Sequence, residues 1–306
     1  MKLRVLGSAA GGGFPQWNCG CTNCSGLRAG TLRARARTQE SVAISADGER
    51  WFLLNASPEI RAQIESFAPL WPRARRHSPV SGVVLTNGDL DHCLGLLSLR
   101  ESHPIRVYAT EAVRRGFAEG NAMYRTLERF PDQVRWTALA LGRELALVDG
   151  ESGAATGLQL TALAIPGKRP LHLERTAAPS PEDNVGLRIR DARSGGVLAY
   201  LPAVAAASPE VTGAVAGADC VFFDGTFWSS DELIAAGLGT RRAEDMAHWP
   251  VGGAEGSLEY LAKLPGRRIL IHLNNTNPLL REDGAEHSAA RAAGVEVAHD
   301  GLEVSL

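Results

Sequence analysis

One strand–loop–helix pattern near the end of the first third of the chain constrains it most. Residues 82–85 form an apolar, β-branched run that predicts a buried strand. A polar loop, Thr-Asn-Gly-Asp-Leu-Asp-His, follows at once, and the next apolar run, residues 94–99, predicts the start of a helix. Asp89, Asp91 and His92 should therefore crowd one loop at the end of a strand.

Such a loop predicts metal binding. Neighbouring carboxylates repel each other unless a cation neutralises them. The alternative is a polar turn with an Asp at a helix N-cap, but that accounts for one Asp and not for two Asp beside a His. We therefore take Asp89, Asp91 and His92 as candidate site residues.

Composition and charge narrow the class of protein. The 306 residues are 44% hydrophobic and 22% charged, which is typical of a globular chain with a large core. A net charge of -2 gives no basic footprint for nucleic acid. The first residues lead into a short strand, and no long apolar stretch or small-residue cleavage site of a secretory signal follows them. The longest apolar run, residues 197–207, is too short to span a bilayer. We expect a cytoplasmic protein without a membrane span.

Strand-like and helix-like runs alternate along the whole chain, which favours a layered α/β fold. Hairpin-like pairs in the first half indicate mixed sheets. A Pro-rich polar segment, residues 169–183, predicts a loop near the site. We expect one domain over residues 1–306. The predicted strands are 5–7, 41–46, 51–55, 82–85, 105–109, 158–164, 185–190, 197–201, 219–223, 268–272 and 295–298. The predicted helices are 58–65, 111–116, 121–130, 209–216, 230–236, 257–263 and 286–293.

Three of the five cysteines lie close together near the N-terminus. Cys19, Cys21 and Cys24 flank Gly20, which lets the backbone turn tightly enough for the sulfurs to converge. An odd number of Cys in a chain expected to be cytoplasmic argues against a disulfide framework, and thiolates at this density indicate zinc. The loop 18–24 is thus a predicted structural zinc site whose fourth ligand is distant. A redox pair or three unrelated buried thiols are weaker alternatives.

Two further polar residues follow apolar runs that read as buried strands. Asp224 ends the run 221–223, and His272 ends the run 269–271. A polar residue at a strand end is often only a turn former, but sheet-based sites place their ligands at this point. Both are candidate metal ligands.

The polar loop resembles the metal-binding motif of the metallo-β-lactamase superfamily, Thr-His-x-His-x-Asp-His. Asn87 and Asp89 stand where the motif has its first two His, whereas Asp91 and His92 match. The resemblance implies a four-layer αββα sandwich with mixed sheets. It also implies a metal site that keeps only half of the usual two-metal centre.

In two-metal members of this superfamily, the second metal takes the Asp-His pair, a bridging Asp and a final His. The resemblance maps this set onto Asp91, His92, Asp224 and His272. The other set is broken, because no His stands near residues 165–167, and His172 lies in the Pro-rich loop. We therefore expect one active-site metal and an empty first-metal pocket.

The glycine-rich segment 6–15, together with the Cys cluster, resembles a superfamily branch that includes the phosphodiesterase PhnP. That branch carries a structural zinc whose fourth ligand follows the last active-site His. The matching residue here is Asn275, a poor zinc ligand. His272 or another His is the alternative fourth ligand.

Four segments together are similar to a family of pyrroloquinoline quinone (PQQ) biosynthesis proteins within this superfamily. They are residues 7–21, 224–228, 246–258 and 272–278. The resemblance covers essentially the whole chain. It implies iron- and O2-dependent hydroxylation of the tyrosine ring of a Glu-Tyr-derived precursor, and it allows other PQQ biosynthesis proteins as partners. The alternatives are a soluble carrier of PQQ or its precursor towards the periplasm, and a metallohydrolase.

The ligand types favour the hydroxylation. Two His and two carboxylates accommodate Fe(II), although zinc-assisted hydrolysis is also possible. Asp89 could be a fifth ligand or an outer-shell base. His248 could bind substrate or donate a proton, or simply pack against Trp249.

Overall fold

The computed structural model describes residues 1–306 and contains fourteen strands and eight α-helices. The strands are β1 (Lys2–Gly7), β2 (Ser41–Ser45), β3 (Trp51–Leu54), β4 (Val80–Val84), β5 (Ile105–Ala109), β6 (Val134–Ala138), β7 (Glu144–Val148), β8 (Ala155–Ala164), β9 (Val185–Asp191), β10 (Val197–Leu201), β11 (Cys220–Asp224), β12 (Arg267–Ile271), β13 (Val295–Val297) and β14 (Glu303–Ser305). The helices are α1 (Thr22–Ala29), α2 (Ile60–Glu65), α3 (Leu90–Cys93), α4 (Glu111–Ala118), α5 (Pro209–Val215), α6 (Glu232–Ala235), α7 (Ser257–Leu261) and α8 (Ala285–Ala292). Short 3₁₀ helices span Ala68–Leu70, Leu94–Leu99, Ala122–Thr126, Leu171–Leu173, Glu244–Met246 and Pro278–Leu280.

The strands form two seven-stranded sheets. The first has the order β14-β1-β2-β3-β4-β5-β6 and the second β13-β12-β11-β10-β9-β8-β7. Pairing is parallel from β3 to β6 and from β10 to β13, where helices connect successive strands. It is antiparallel among β14, β1, β2 and β3 and among β7, β8, β9 and β10. Both sheets are therefore mixed. Parallel neighbours need a long crossover connection, which helices supply here.

Three apolar clusters show how the layers pack. Side chains from both sheets, including Phe52 and Phe222, share a central cluster of 25 buried residues. The outer face of the first sheet packs with α2 and α4, and that of the second packs with α5, α7 and α8. Helices thus cover both outer faces, which is the predicted αββα sandwich.

Alternation along β11 shows why an almost continuous apolar run suits this architecture. Phe222 belongs to the central cluster, while its neighbours Val221 and Phe223 belong to the outer one. Successive strand side chains point to opposite faces, so a strand covered on both sides needs apolar residues at every position. Asp224 then ends the run at the carboxyl edge of the sheet.

The structure departs from the predicted elements in several places. Strands β6, β7 and β14 were not predicted, because they lie at or next to sheet edges and carry charged or half-exposed residues. The predicted helix 121–130 is only a 3₁₀ turn at Ala122–Thr126, which Asn121 caps. The cysteine loop continues into α1, and the helix expected from residue 94 begins earlier, as α3.

Loops from the two sheets meet at one edge of the sandwich. The backbone N–H of Val185 donates to the carbonyl of Thr86 (2.9 Å), and Asn87 bridges to Asn184. These bonds hold the polar loop after β4 against the second sheet, where β11 and β12 end.

None of the helices has the length and apolar composition needed to cross a bilayer.

Candidate metal centre

Asp91, His92 and His272 meet between the two sheets. Helix α3 carries the first two, and His272 follows β12 with a left-handed backbone (φ 62°). His92 Nε2 and His272 Nε2 lie 3.1 Å apart. Asp91 Oδ2 lies 3.2 Å from His272 Nε2 and 3.7 Å from His92 Nε2. Both imidazoles are buried and the carboxylate is partly buried.

The Thr86 hydroxyl orients the His92 ring. Thr86 N–H and Oγ1–H both donate to Asn55 Oδ1, at 3.0 and 3.1 Å, so Oγ1 can accept from His92 Nδ1–H, 3.1 Å away. Asn55 Nδ2 also lies 2.9 Å from Nδ1, but its hydrogens have acceptors in Glu40 Oε2 (2.8 Å) and the Tyr200 hydroxyl (3.4 Å). In the tautomer with its proton on Nδ1, His92 donates to Thr86 Oγ1 and presents a lone pair at Nε2.

The Thr226 hydroxyl does the same for His272. It donates to Asp224 Oδ1 (2.6 Å) and lies 2.7 Å from His272 Nδ1, so it accepts the Nδ1–H. Both threonines follow the end of a strand, and both turn the Nε2 atom of a His into the same space. A hydrogen-bonded Nδ1–H is the usual outer-shell support of a metal-ligating His.

The resulting donor set fits a metal ion. Two nitrogens that bind one ion at about 2.0–2.1 Å lie roughly 2.9–3.4 Å apart at octahedral or tetrahedral angles, and the two Nε2 atoms lie 3.1 Å apart. A cation at this point would be attracted by the Asp91 carboxylate and by the nitrogen lone pairs of the two His. The three ligand atoms all lie within 4.8 Å of each other.

Burial and the neighbouring charges shift the pKa values of the three residues. Burial lowers the pKa of His92 to about 4, so its imidazole is neutral at physiological pH. Burial also acts to lower the pKa of His272, but the hydrogen bond and charge of Asp91 outweigh it and the pKa is raised. Burial works to raise the pKa of Asp91, yet the two His lower it. Asp91 is thus an anion beside a position that attracts a cation.

The four ligands that the superfamily resemblance implies fall into two neighbouring groups in the structure. Asp224 Oδ2 accepts from Val204 N–H (2.8 Å) and lies 2.7 Å from His248 Nδ1. Asp224 therefore groups with His248 and His272 rather than with Asp91 and His92. His272 is common to both groups.

His248 was predicted as a substrate group or proton donor, and its position makes it a candidate ligand as well. Its ring stacks on that of His272 (5.5 Å, 24°) and meets Phe227 edge-on. Trp249 instead packs with Phe223, so the His does not simply pack against its neighbour. The strand-end signal could not find His248, because it lies in a loop after a 3₁₀ turn.

Asp89 and Asn87 border the centre but lie outside both ligand groups. Asn87 Oδ1 accepts from the Asp89 N–H (3.0 Å). Burial and the neighbouring Asp91 raise the pKa of Asp89. His172 is elsewhere, 3.2 Å from the carbonyl of Gly116, and does not supply the missing His of the first-metal set.

Glu40 is a buried group behind the centre that sequence reasoning missed. Its Oε2 accepts from Asn55 Nδ2 (2.8 Å), while Oε1 has no hydrogen-bond partner. Burial raises its pKa to about 8. Nothing in the local sequence marks this Glu, because only the tertiary contact with Asn55 connects it to the site.

A cavity of about 640 Å³ opens over the metal centre. This volume is in the range of small-molecule sites. Its walls combine the ligand residues with charged side chains from two loops and a few apolar ones. Members outside the ligand groups include Gln16, Asp89, Lys168, Leu171, Phe227, Arg241, Met246 and Asn274.

A second cluster joins Cys19, Cys21 and Cys24, whose sulfurs lie within 4.8 Å of one another. The Cys21 sulfur accepts from Cys24 N–H at the start of α1, which brings the thiols together. The Asn275 amide faces the cluster, with Nδ2 3.1 Å from Cys19 Sγ and 3.4 Å from Cys24 Sγ. Both ring nitrogens of His272 are engaged at the other centre, so His272 is not the fourth ligand.

Comparisons with known proteins identify the family. The Beta-lactamase superfamily domain matches residues 50–273. Coenzyme PQQ synthesis protein B from Azotobacter vinelandii is 44% identical over 307 residues, covering 100% of both chains. Zinc-bound PqqB from Methylobacterium extorquens has a TM-score of 0.92 and 44% identity, again over 100% of both chains. The chain belongs to the PqqB family.

This assignment confirms the resemblance of the sequence and the αββα fold. PqqB proteins take their name from coenzyme PQQ synthesis and form part of the metallo-β-lactamase superfamily. A diphosphatase of the PhnP family shares the fold, with a TM-score of 0.67, 20% identity and coverage of 100% of this chain and 97% of its own. At 20% identity, this likeness shows only that the two proteins share a fold.

Proposed function

We propose that the chain is a metal-dependent hydroxylase of PQQ biosynthesis. Its substrate would be a Glu-Tyr-derived precursor, and its reaction an iron- and O2-dependent hydroxylation of the tyrosine ring. The observation that carries this proposal is the group of Asp91, His92 and His272, with the two Nε2 atoms 3.1 Å apart.

The composition of this group supports iron. Two His and one carboxylate on one side of an ion leave positions open, which is the ligand pattern of non-haem Fe(II) oxygenases. When bound there, iron(II) would supply the redox chemistry for adding one oxygen atom of O2 to a phenol ring. An external reductant would supply the two electrons that, with two protons, convert the other oxygen atom to water. The Asp224–His248 pair borders the same space and is available to support either substrate or metal.

The surrounding residues orient the site and handle protons. Thr86 and Thr226 hold the two His in the tautomer that a metal requires. Asp224 accepts from His248 Nδ1–H, which leaves His248 Nε2 able to accept the proton of a substrate phenol. Asp89, whose pKa is raised by burial and by Asp91, is a second candidate base at the cavity wall.

Zinc-dependent hydrolysis is the second candidate. The Methylobacterium extorquens relative is described as zinc-bound, and a single zinc ion can activate water at neutral pH. The two candidates differ in what they consume, since a hydroxylase needs O2 and a hydrolase needs only water.

Anaerobic reconstitution with Fe(II), followed by O2-uptake measurement with a Glu-Tyr dipeptide and a two-electron reductant, tests the proposal. We expect O2 uptake that matches formation of a hydroxylated dipeptide. His272→Ala should abolish uptake, whereas His172→Ala, which removes an exposed His away from the centre, should retain it. Binding of the dipeptide without O2 uptake would favour the carrier, and ester turnover by the zinc form would favour the hydrolase.

A further inference from the structure

Two cationic side chains line the cavity above the metal centre without a direct ion pair, although the charge of Lys168 counteracts the rise in the pKa of Asp89. Lys168 comes from the loop after β8, and Arg241 from the loop after α6. Neither takes part in any of the fifteen ion pairs of the chain. Neither side chain donates a hydrogen bond within the protein, so both are available to an anion in the cavity.

The backbone beside Lys168 is held in place by close packing. A Cβ on Gly167 would lie 2.4 Å from Asn184 Nδ2, so only glycine allows this approach. Asn184 Nδ2 in turn donates to the carbonyls of Ala203 (3.0 Å) and Ile165 (3.3 Å). Lys168 is half-buried, and a charge that loses part of its water without gaining a partner is unfavourable. A bound anion would provide that partner.

Arg241 belongs to the loop that also carries His248. The N–H of His248 donates to the carbonyl of Ala243 (3.0 Å), and the N–H of Ala243 donates to that of Ser230 (2.9 Å). Arg241 and the next residue, Arg242, are both exposed, but only Arg241 lines the cavity. Arg241 can therefore be tested for ligand binding, with a substitution of Arg242 as the matched control.

The rest of the cavity indicates what lies between the two cations. Leu171, Phe227 and Met246 contribute apolar surface, and the anionic residues Asp89 and Asp91 lie at the metal end. A metal ion would neutralise that end, leaving two positive groups on the walls. A complementary ligand carries two anionic groups on an apolar or aromatic body.

We infer that Lys168 and Arg241 bind the two carboxylates of a small dicarboxylate substrate and hold its ring at the metal centre. The inference rests on the proposed function, since it takes the cavity to be the substrate site. Arg241 offers a planar fork that can hold a carboxylate through two hydrogen bonds, whereas Lys168 offers a compact charge. A Glu-Tyr dipeptide has the required two carboxylates, one on the Glu side chain and one at the C-terminus.

Calorimetric titration of the zinc-loaded full-length protein tests this inference without turnover. The probes are Glu-Tyr, Gln-Tyr and the C-terminal amide of Glu-Tyr. Gln-Tyr lacks the side-chain carboxylate, the C-terminal amide lacks the terminal carboxylate, and Glu-Tyr has both. We expect wild type to bind Glu-Tyr about 10- to 100-fold more tightly than either amide, the effect of one charge-assisted hydrogen bond. Lys168→Met and Arg241→Gln should each weaken Glu-Tyr binding by a similar factor.

The pattern across probes separates recognition from a structural role. Each variant should lose the preference for carboxylate over amide at one end of the dipeptide only. The controls Arg169→Gln and Arg242→Gln should keep both preferences. A wild type without preference, or variants that weaken all three probes equally, would overturn the inference. Carboxylate discrimination by the zinc form, together with no O2 uptake by the Fe(II) form supplied with Glu-Tyr and a reductant, would refute the hydroxylase and leave the carboxylate site standing.

Discussion

The Nε2 atoms of His92 and His272 face each other at 3.1 Å, although the residues are 180 positions apart in the chain. One is on α3 beside the first sheet, and the other follows β12 of the second. The site therefore exists only when the two halves of the sandwich are packed together. A metal held there would connect both sheets, so metal binding should stabilise the fold.

The two threonine hydroxyls should control metal affinity. Thr86→Val and Thr226→Val remove the acceptors of the His Nδ1–H groups, and we expect each to weaken zinc binding about 10- to 100-fold. Competition with a chromogenic chelator measures this. Thr86→Ser and Thr226→Ser keep the hydroxyl and should restore affinity, and Thr161→Val, on β8, serves as the control. Unchanged affinity in both valine variants would show that the hydroxyls do not orient the rings.

The cysteine cluster should hold one zinc ion that supports the fold. Replacing Cys19, Cys21 and Cys24 by Ser should lower the zinc content by about one equivalent per chain and lower the denaturation midpoint, because site binding energy is folding energy. Elemental analysis and urea unfolding measure the two effects. Cys220→Ala, which removes a buried thiol outside the cluster, should keep its zinc. Full zinc content in the triple variant would contradict the prediction.

Glu40 should make stability depend on pH. Burial raises its pKa from the ordinary 4.5 to about 8, so the folded chain keeps a proton that the unfolded chain releases. Its contribution to the free energy of unfolding is complete below pH 4.5 and is lost as the pH rises through 8. Glu40→Gln should therefore flatten the decline over this interval, measured by urea unfolding at several pH values. The exposed variant Glu151→Gln should follow wild type. Equal slopes for Glu40→Gln and wild type would contradict this assignment.

Local sequence signals could predict those residues of the site that closely follow a buried strand. Asp91, His92 and His272 each follow an apolar strand, and that pattern is visible without the fold. His248 reaches the centre from a loop with no preceding strand. Its approach to Asp224 depends on how distant segments pack, which no local pattern encodes.

The same reason explains what the sequence could not predict elsewhere. Glu40 becomes part of the site only through its contact with Asn55. Lys168 and Arg241 come from separate loops, and only the closed sandwich brings them to one cavity. Strands β6 and β7 lacked a clear signal because half-exposed strands near a sheet edge do not need continuous apolar residues.

A crystal structure of the protein soaked in Fe(II), Mn(II) or Zn(II), with anomalous scattering at the metal edge, would locate the ion and its ligands. We predict one ion between His92 and His272, about 2.0–2.2 Å from each Nε2 atom, with Asp91 as the third ligand and no second ion beside Asn87. Two adjacent ions at full occupancy, or an ion bound by Asp224 and His248 without His92, would contradict the account.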